Sequence, residues 1–259
     1  MKPLFLIAGP CAIEDRHTPL EIAREVKAIA DRLGIPYIFK SSYKKANRTK
    51  LDSFTGISKP EALEILQQVR EDVGVPVLTD VHETWECAEV APYVDYLQIP
   101  AFLCRQTDLL LAAGETGKGI NIKKGQFLSP EAMAFAVEKV RSTGNNHIWL
   151  TERGTTFGYE SLVVDMTAIP RMQQTGCPVV MDCTHSVQRP NQTAGITGGD
   201  ARMIGTLCLA AVAAGADGLF IETHPDPSRA KSDASSMLKL NLLEELLARA
   251  VKVRYVIDG

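Results

Sequence analysis

The chain has 259 residues, 45% hydrophobic and 23% charged, an ordinary globular composition that excludes collagen-like, disordered and disulfide-scaffold proteins. A formal net charge of −3 excludes general attraction to nucleic acid or anionic lipid, so any basic patch must be local. Six scattered cysteines without a CxxC pair fit a reducing cytoplasm, and no run approaches the roughly 20 apolar residues of a membrane-spanning helix.

In chain order, short β-rich apolar runs recur at Leu4 to Ala8, Pro36 to Lys40, Val75 to Asp80, Asp95 to Ile99, Gly119 to Lys123, His147 to Thr151, Pro178 to Asp182 and Asp217 to Glu222. They are continuously apolar, as parallel strands covered on both faces must be. Between them lie helix-period segments, among them Leu20 to Leu33, Pro60 to Asp72, Ser129 to Arg141, Ala201 to Ala214 and Ala234 to Lys252. Ser58 with Pro60, and Ser129 with Pro130, read as helix starts. Eight runs divide the chain into units of roughly 32 residues, the size of one βα repeat. The pattern predicts an α/β protein, a single-domain (β/α)8 TIM barrel over residues 1–259. A doubly wound open sheet is the rival, but the first turn reads Gly9-Pro10-Cys11, with neither GxGxxG nor a Walker lysine.

A β/α barrel carries its active site at the C-terminal strand ends. Here every end bears polar groups: Cys11; Lys40, Lys45 and Arg48; Asp80 and His82; Gln98; Lys123 and Lys124; Glu152 and Arg153; Asp182 and His185; Glu222 and His224, with Asp233 beyond. Lys40, Lys45, Arg48, Lys123 and Arg153 make a positive funnel, which suits a small, multiply anionic substrate. Cys11, His185, Glu222 and Asp233 converge if the barrel closes, and such a mixed set suits a divalent ion of the Zn, Fe or Mn kind. Each also has a plain structural reading: Cys11 as a small buried residue, His185 as a loop histidine, Asp233 as the cap of a helix from Ala234. His82 and His224 are alternative ligands or acid–base groups. The long loops Ser41 to Lys59 and Ser186 to Gly199 read as lids or binding loops.

GPCAIE (Gly9 to Glu14), FKSSYKKANRT (Phe39 to Thr49), TDVHE (Thr79 to Glu83), LQIPAFLCRQTDLL (Leu97 to Leu110), NIKKGQF (Asn121 to Phe127), LTERGTTFGY (Leu150 to Tyr159), DCTHSVQ (Asp182 to Gln188) and ETHPDP (Glu222 to Pro227) resemble the 3-deoxy-D-manno-octulosonate 8-phosphate synthases over nearly the whole chain. The resemblance implies condensation of phosphoenolpyruvate with D-arabinose 5-phosphate. It further implies the metal-dependent form, with Cys11 where the metal-independent form has asparagine and Ser232-Asp233-Ala234-Ser235 in the metal-dependent pattern. By the same resemblance, Cys11, His185, Glu222 and Asp233 hold one metal, and Cys11, His185, Lys45 and Asp233 are the catalytic set. Lys45, Lys123 and Arg153, with Lys40 nearby, hold phosphoenolpyruvate. Asn47, Arg48 and Thr49 hold the sugar phosphate, with Thr197 as a further phosphate contact. A homotetramer is also implied, Phe102 and Arg105 reaching a neighbouring subunit. The runner-up is the related 3-deoxy-D-arabino-heptulosonate 7-phosphate synthase, which uses erythrose 4-phosphate; its Lys-Pro-Arg pattern is replaced here by Lys45-Ala46-Asn47-Arg48. Lys50 and the loop Gln188 to Ile196 depart from the expected pattern.

Overall fold

All eight predicted runs contain a strand. The computed structural model describes residues 3–190 and 197–259 and places β1 at Phe5–Gly9, β2 at Tyr37–Lys40, β3 at Val77–Asp80, β4 at Tyr96–Ile99, β5 at Gly119–Lys123, β6 at Ile148–Glu152, β7 at Val179–Asp182 and β8 at Gly218–His224. Neighbouring strands are parallel throughout. β8 pairs with β1 from Phe5↔Gly218 to Gly9↔Glu222, closing the cylinder. Helices α1 (His17–Leu33), α2 (Lys59–Val73), α3 (Thr84–Val90), α4 (Thr107–Glu115), α5 (Met133–Arg141), α6 (Ala168–Gln173), α7 (Ile204–Ala213) and α8 (Leu243–Asp258) each follow a strand. The (β/α)8 barrel is therefore the fold, and the open-sheet rival falls.

Local chemistry accounts for the helix ends. Asp15 Oδ1 accepts the N–H groups of His17 and Thr18, both at 2.8 Å, satisfying donors that the first turn of α1 leaves free. α1 stops at Gly34, whose φ of 64° suits glycine. Two predicted helices start later than the sequence suggests: the one from Ser129 begins at Met133, and α7 is preceded by a 3-10 turn at Ala201–Met203. The expectation of a helix from Ala234 is corrected. Leu238–Lys239 instead runs beside Thr223 and His224 of β8, and α8 begins only at Leu243. Met237, Leu238 and Leu240 are buried all the same; their apolar character serves the core from a short strand and the 3-10 turn Leu240–Leu242 that follows it, which spacing alone cannot distinguish from a helix. An exposed hairpin, Thr155–Phe157 against Ser161–Val163, follows β6 and was not foreseen.

Side chains two apart on a strand share a face, and this sorts the barrel interior into layers. Ile7, Ile38, Leu78, Trp149, Val180 and Phe220 form one apolar cluster, with Phe5 and Tyr96 packed on it. Two residues further along the same strands stand Gly9, Lys40, Asp80, Gln98, Thr151, Asp182 and Glu222, with Asn121 and Lys123 on β5. The barrel is plugged below and polar at the mouth. Gly9 is required for closeness: a Cβ there would lie 2.0 Å from the Lys40 carbonyl oxygen.

Candidate active site

Above the polar layer lies a cavity of about 740 Å³. Lys40, Lys45, Lys123 and Arg153 line it, as do Asn47, Arg48 and Thr49 from the loop after β2, and His185, Thr197 and Asp233 from the far side. The mouth thus brings together residues 193 positions apart in sequence, Lys40 and Asp233. Phe102 also lines the cavity.

The cationic flank is built for anions. Lys123 Nζ donates to Asp182 Oδ2 at 2.7 Å and lies 4.1 Å from the Phe220 ring centroid. Arg153 Nη2 donates to Gln188 Oε1 at 3.0 Å, while its Nη1 is buried without a hydrogen-bond partner. Arg48 Nε donates to the Phe54 carbonyl at 2.9 Å, and its Nη2 likewise has none. Buried guanidinium nitrogens without partners are costly unless an anion meets them. Burial pushes Lys123 below its ordinary pKa against the pull of Asp182. For Lys45 burial is outweighed by the carboxylates of Glu222 and Asp233, which hold it protonated.

The opposite flank gathers ligand atoms. Cys11 Sγ, a Glu222 carboxylate oxygen and an Asp233 carboxylate oxygen lie within 4.8 Å of one another. His185 Nε2 stands 3.6 Å from Glu222 Oε1 and 3.9 Å from Asp233 Oδ2. His185 Nδ1 is held by Asp182 Oδ2 at 2.8 Å, the carboxylate-behind-imidazole arrangement that aims the other ring nitrogen at an ion. The residues fit a divalent metal: a thiol, an imidazole and two carboxylates converge, and Glu222 Oε2 is buried with no hydrogen-bond partner. Asp233 is the non-glycine residue among those described that has positive φ, 50°, so its backbone is bent to bring the carboxylate inward. Burial and then the charges of Asp233 and Glu222 push the Cys11 thiol well above its ordinary pKa; it donates to Asp233 Oδ2 at 3.0 Å, and its sulfur lies 2.9 Å from Ser232 Oγ. Asp233 stays ionised, held at about 2 by Lys45 and His185 against the effect of burial.

Not every candidate lines the cavity: Asp233 and His185 do, whereas Cys11 and Glu222 are buried beside it. Asp233 caps no helix, since none starts at Ala234. His224 Nδ1 accepts the Asp226 N–H at 3.0 Å, and the residue lines a small void behind Cys11. Lys124 turns from the mouth to the Gly125 and Leu128 carbonyls and Thr155 Oγ1. Arg105 is exposed outside the cavity lining. Within the loop Gln188 to Ile196, residues 191–196 lie outside the described residues. Two residues were missed. Gln188 ties the flanks together, accepting from Arg153 and donating from Nε2 to Asp233 Oδ1 at 3.2 Å. Glu86, fully buried, accepts the His82 N–H at 2.7 Å and Lys44 Nζ at 3.2 Å, fixing two mouth loops. Only the adjacency of Gln188 to the DCTHSV motif hinted at the first, and a carboxylate in an amphipathic helix gives no hint of the second.

The mouth of this (β/α)8 barrel thus joins a cationic flank to a thiol-containing ligand set. The model of the DAHP synthetase I family matches residues 2–257, and the chain belongs to that family. Curated relatives named 2-dehydro-3-deoxyphosphooctonate aldolase share about half its residues. The protein of Granulibacter bethesdensis is 53% identical over 247 residues, 95% of this chain and 88% of the relative. That of Cyanothece is 52% identical over 253 residues, 98% and 93%, and that of Fusobacterium nucleatum 49% over 258 residues, 100% and 93%. Their name denotes the enzyme to which the sequence resemblance pointed, rather than the heptulosonate runner-up.

Proposed function

We propose that the chain condenses phosphoenolpyruvate, D-arabinose 5-phosphate and water to 3-deoxy-D-manno-octulosonate 8-phosphate and inorganic phosphate. The observation that carries this reading is the meeting of an anion-binding cavity with a ligand set 3 to 5 Å across, His185 and Asp233 lining the cavity and Cys11 and Glu222 buried beside them. Lys45, Lys123 and Arg153 bind the phosphate and carboxylate of phosphoenolpyruvate, Arg153 through its unpartnered Nη1. Asn47, Arg48 and Thr49 hold the aldose phosphate, with Thr197 at the rim, so that the enol C3 lies against the aldehyde carbon and much of the entropic barrier is removed. The new carbon–carbon bond leaves an alkoxide that takes a proton and an electron-poor C2 that takes water. The adduct collapses with carbon–oxygen cleavage, and phosphate leaves with the former bridging oxygen. Cys11, His185, Glu222 and Asp233 would hold a divalent ion, which supplies Lewis acidity to an oxygen bound there. His185 has its tautomer fixed by Asp182, and His82, backed by Glu86, is the cavity imidazole outside the ligand set.

Six free, buried cysteines support a reducing cytoplasmic location, and among the described residues no helix is long and apolar enough to cross a membrane. Exposed Phe102, Phe127, Phe157 and Tyr159 support a homotetramer in which Phe102 and Arg105 meet a neighbouring copy. The test is a product assay comparing arabinose 5-phosphate with erythrose 4-phosphate, metal content being measured on the same sample. Phosphate release and an eight-carbon product with the pentose phosphate are expected, and activity confined to the tetrose would refute the assignment. Borohydride trapping with substrate is expected to leave Lys123 unmodified, which separates this reaction from a Schiff-base aldolase.

A further inference from the structure

Beneath the cavity floor a chain of side-chain hydrogen bonds crosses the barrel from β6 to β3. Thr151 Oγ1 donates to Asn121 Oδ1 at 2.7 Å, Asn121 Nδ2 donates to Gln98 Oε1 at 2.9 Å, and Gln98 Nε2 donates to Asp80 Oδ1. Thr151, Asn121 and Gln98 are at most 1% exposed. Asp80 and Gln98 stand directly opposite across their ladder, as do Gln98 and Asn121. The chain has one possible sense. A carboxylate only accepts, so Gln98 must turn its amide nitrogen to Asp80 and its oxygen to Asn121, which in turn must offer its own oxygen to Thr151.

At its acidic end the chain meets Lys40. Asp80 Oδ2 accepts from Ser42 Oγ and lies 3.3 Å from Lys40 Nζ. The same ammonium donates to Glu222 Oε1 at 3.3 Å and lies 5.4 Å from the Phe220 ring centroid. Lys40 thereby engages one oxygen of Glu222 and leaves Oε2 without a partner. Filling the barrel does not require any of this, because the layer one pleat below is filled by apolar side chains. Each buried polar atom left unpaired costs about 1–3 kcal/mol, so a polar chain of this length is a liability unless its end point matters.

We propose that Thr151, Asn121, Gln98 and Asp80 form a positioning relay that holds Lys40, and through Lys40 the Glu222 carboxylate, in place for ion binding. The inference rests on the metal reading of the Cys11, His185, Glu222 and Asp233 set. Thr151, Asn121 and Gln98 are positioning residues, since none of them belongs to the cavity lining, which the chain reaches at Asp80.

The relay is tested by zinc affinity, measured by chelator competition on the full chain, with cadmium–thiolate absorbance at Cys11 as a second readout. Asn121→Asp is nearly isosteric and reverses the sense the chain needs, since it cannot donate to Gln98. It should weaken Zn²⁺ binding about tenfold, the low end of what supporting partners of metal ligands contribute. Thr151→Val, which keeps the volume and removes only the terminal donor, should weaken it less but in the same direction, and it serves if the first variant folds poorly. In a Lys40→Met background, Asn121→Asp should add nothing. Wild-type affinity in both folded variants, or a full additional loss on top of Lys40→Met, would overturn the relay. Wild-type protein that takes up no Zn²⁺ would sink the metal reading and this inference with it, whereas wild-type uptake with unaffected variants would sink the relay alone.

Discussion

Ile7, Ile38, Leu78, Trp149, Val180 and Phe220 fill the lower barrel as one apolar cluster; one pleat higher, the same strands carry Gly9, Lys40, Asp80, Thr151, Asp182 and Glu222. The lower layer stabilises the fold by removing apolar area from water and by ring contacts, Tyr96 stacking on Trp149 at 4.3 Å. The upper layer holds buried charges that persist only because each is paired: Lys40 with Asp80 and Glu222, Lys123 with Asp182. A change of two residues along a strand moves from stability to chemistry. Substitutions in the two layers should therefore fail in different ways.

The largest effect is expected at the mouth. Arg153→Ala should lower kcat/KM by on the order of 10²–10³-fold, the scale of losing one preorganised charge-stabilising donor, while steady-state kinetics and thermal melting on the same preparation show the fold retained. A melting transition that collapses with activity would erase the contrast between the layers. Trp149→Ala should do the reverse, costing about 3–5 kcal/mol in denaturant unfolding with turnover per folded molecule within a few-fold of wild type. Smaller still is the pH effect at Glu86. Burial alone would raise this carboxyl, but the hydrogen bonds from His82 outweigh it and hold it below its ordinary pKa. The folded state therefore favours the carboxylate: the stabilisation is present above the unfolded pKa of about 4.3 and is lost as pH falls through the lower folded value. The melting difference between wild type and Glu86→Gln should accordingly be greatest near neutral pH and shrink toward pH 3; a difference that grows on acidification would contradict it.

Much of this was legible in the chain. Apolar runs at barrel spacing gave the strands, and the rule that chemistry collects at their C-terminal ends singled out Lys123, Arg153, His185 and Glu222 before any coordinates. Cys11 and Asp233 needed the closed ring, because only the pairing of β8 with β1 makes the ends of the chain neighbours. What could not be read was partnership. Gln188 is one glutamine among several until Arg153 and Asp233 are found on either side of it, and the sense of the Thr151-to-Asp80 chain exists only in three dimensions. The misplaced start of α8 has the same origin, since Met237, Leu238 and Leu240 are apolar and buried but lie in a short strand and a 3-10 turn ahead of the helix.

The most direct test is a crystal structure of the protein soaked with cadmium and phosphoenolpyruvate, with the ion located by its anomalous scattering. The account predicts the ion among Cys11 Sγ, His185 Nε2, Glu222 Oε2 and an Asp233 oxygen, with the phosphoenolpyruvate anion on Lys123 and Arg153 in the same cavity. An ion bound elsewhere, or an anion that avoids Arg153, would contradict it.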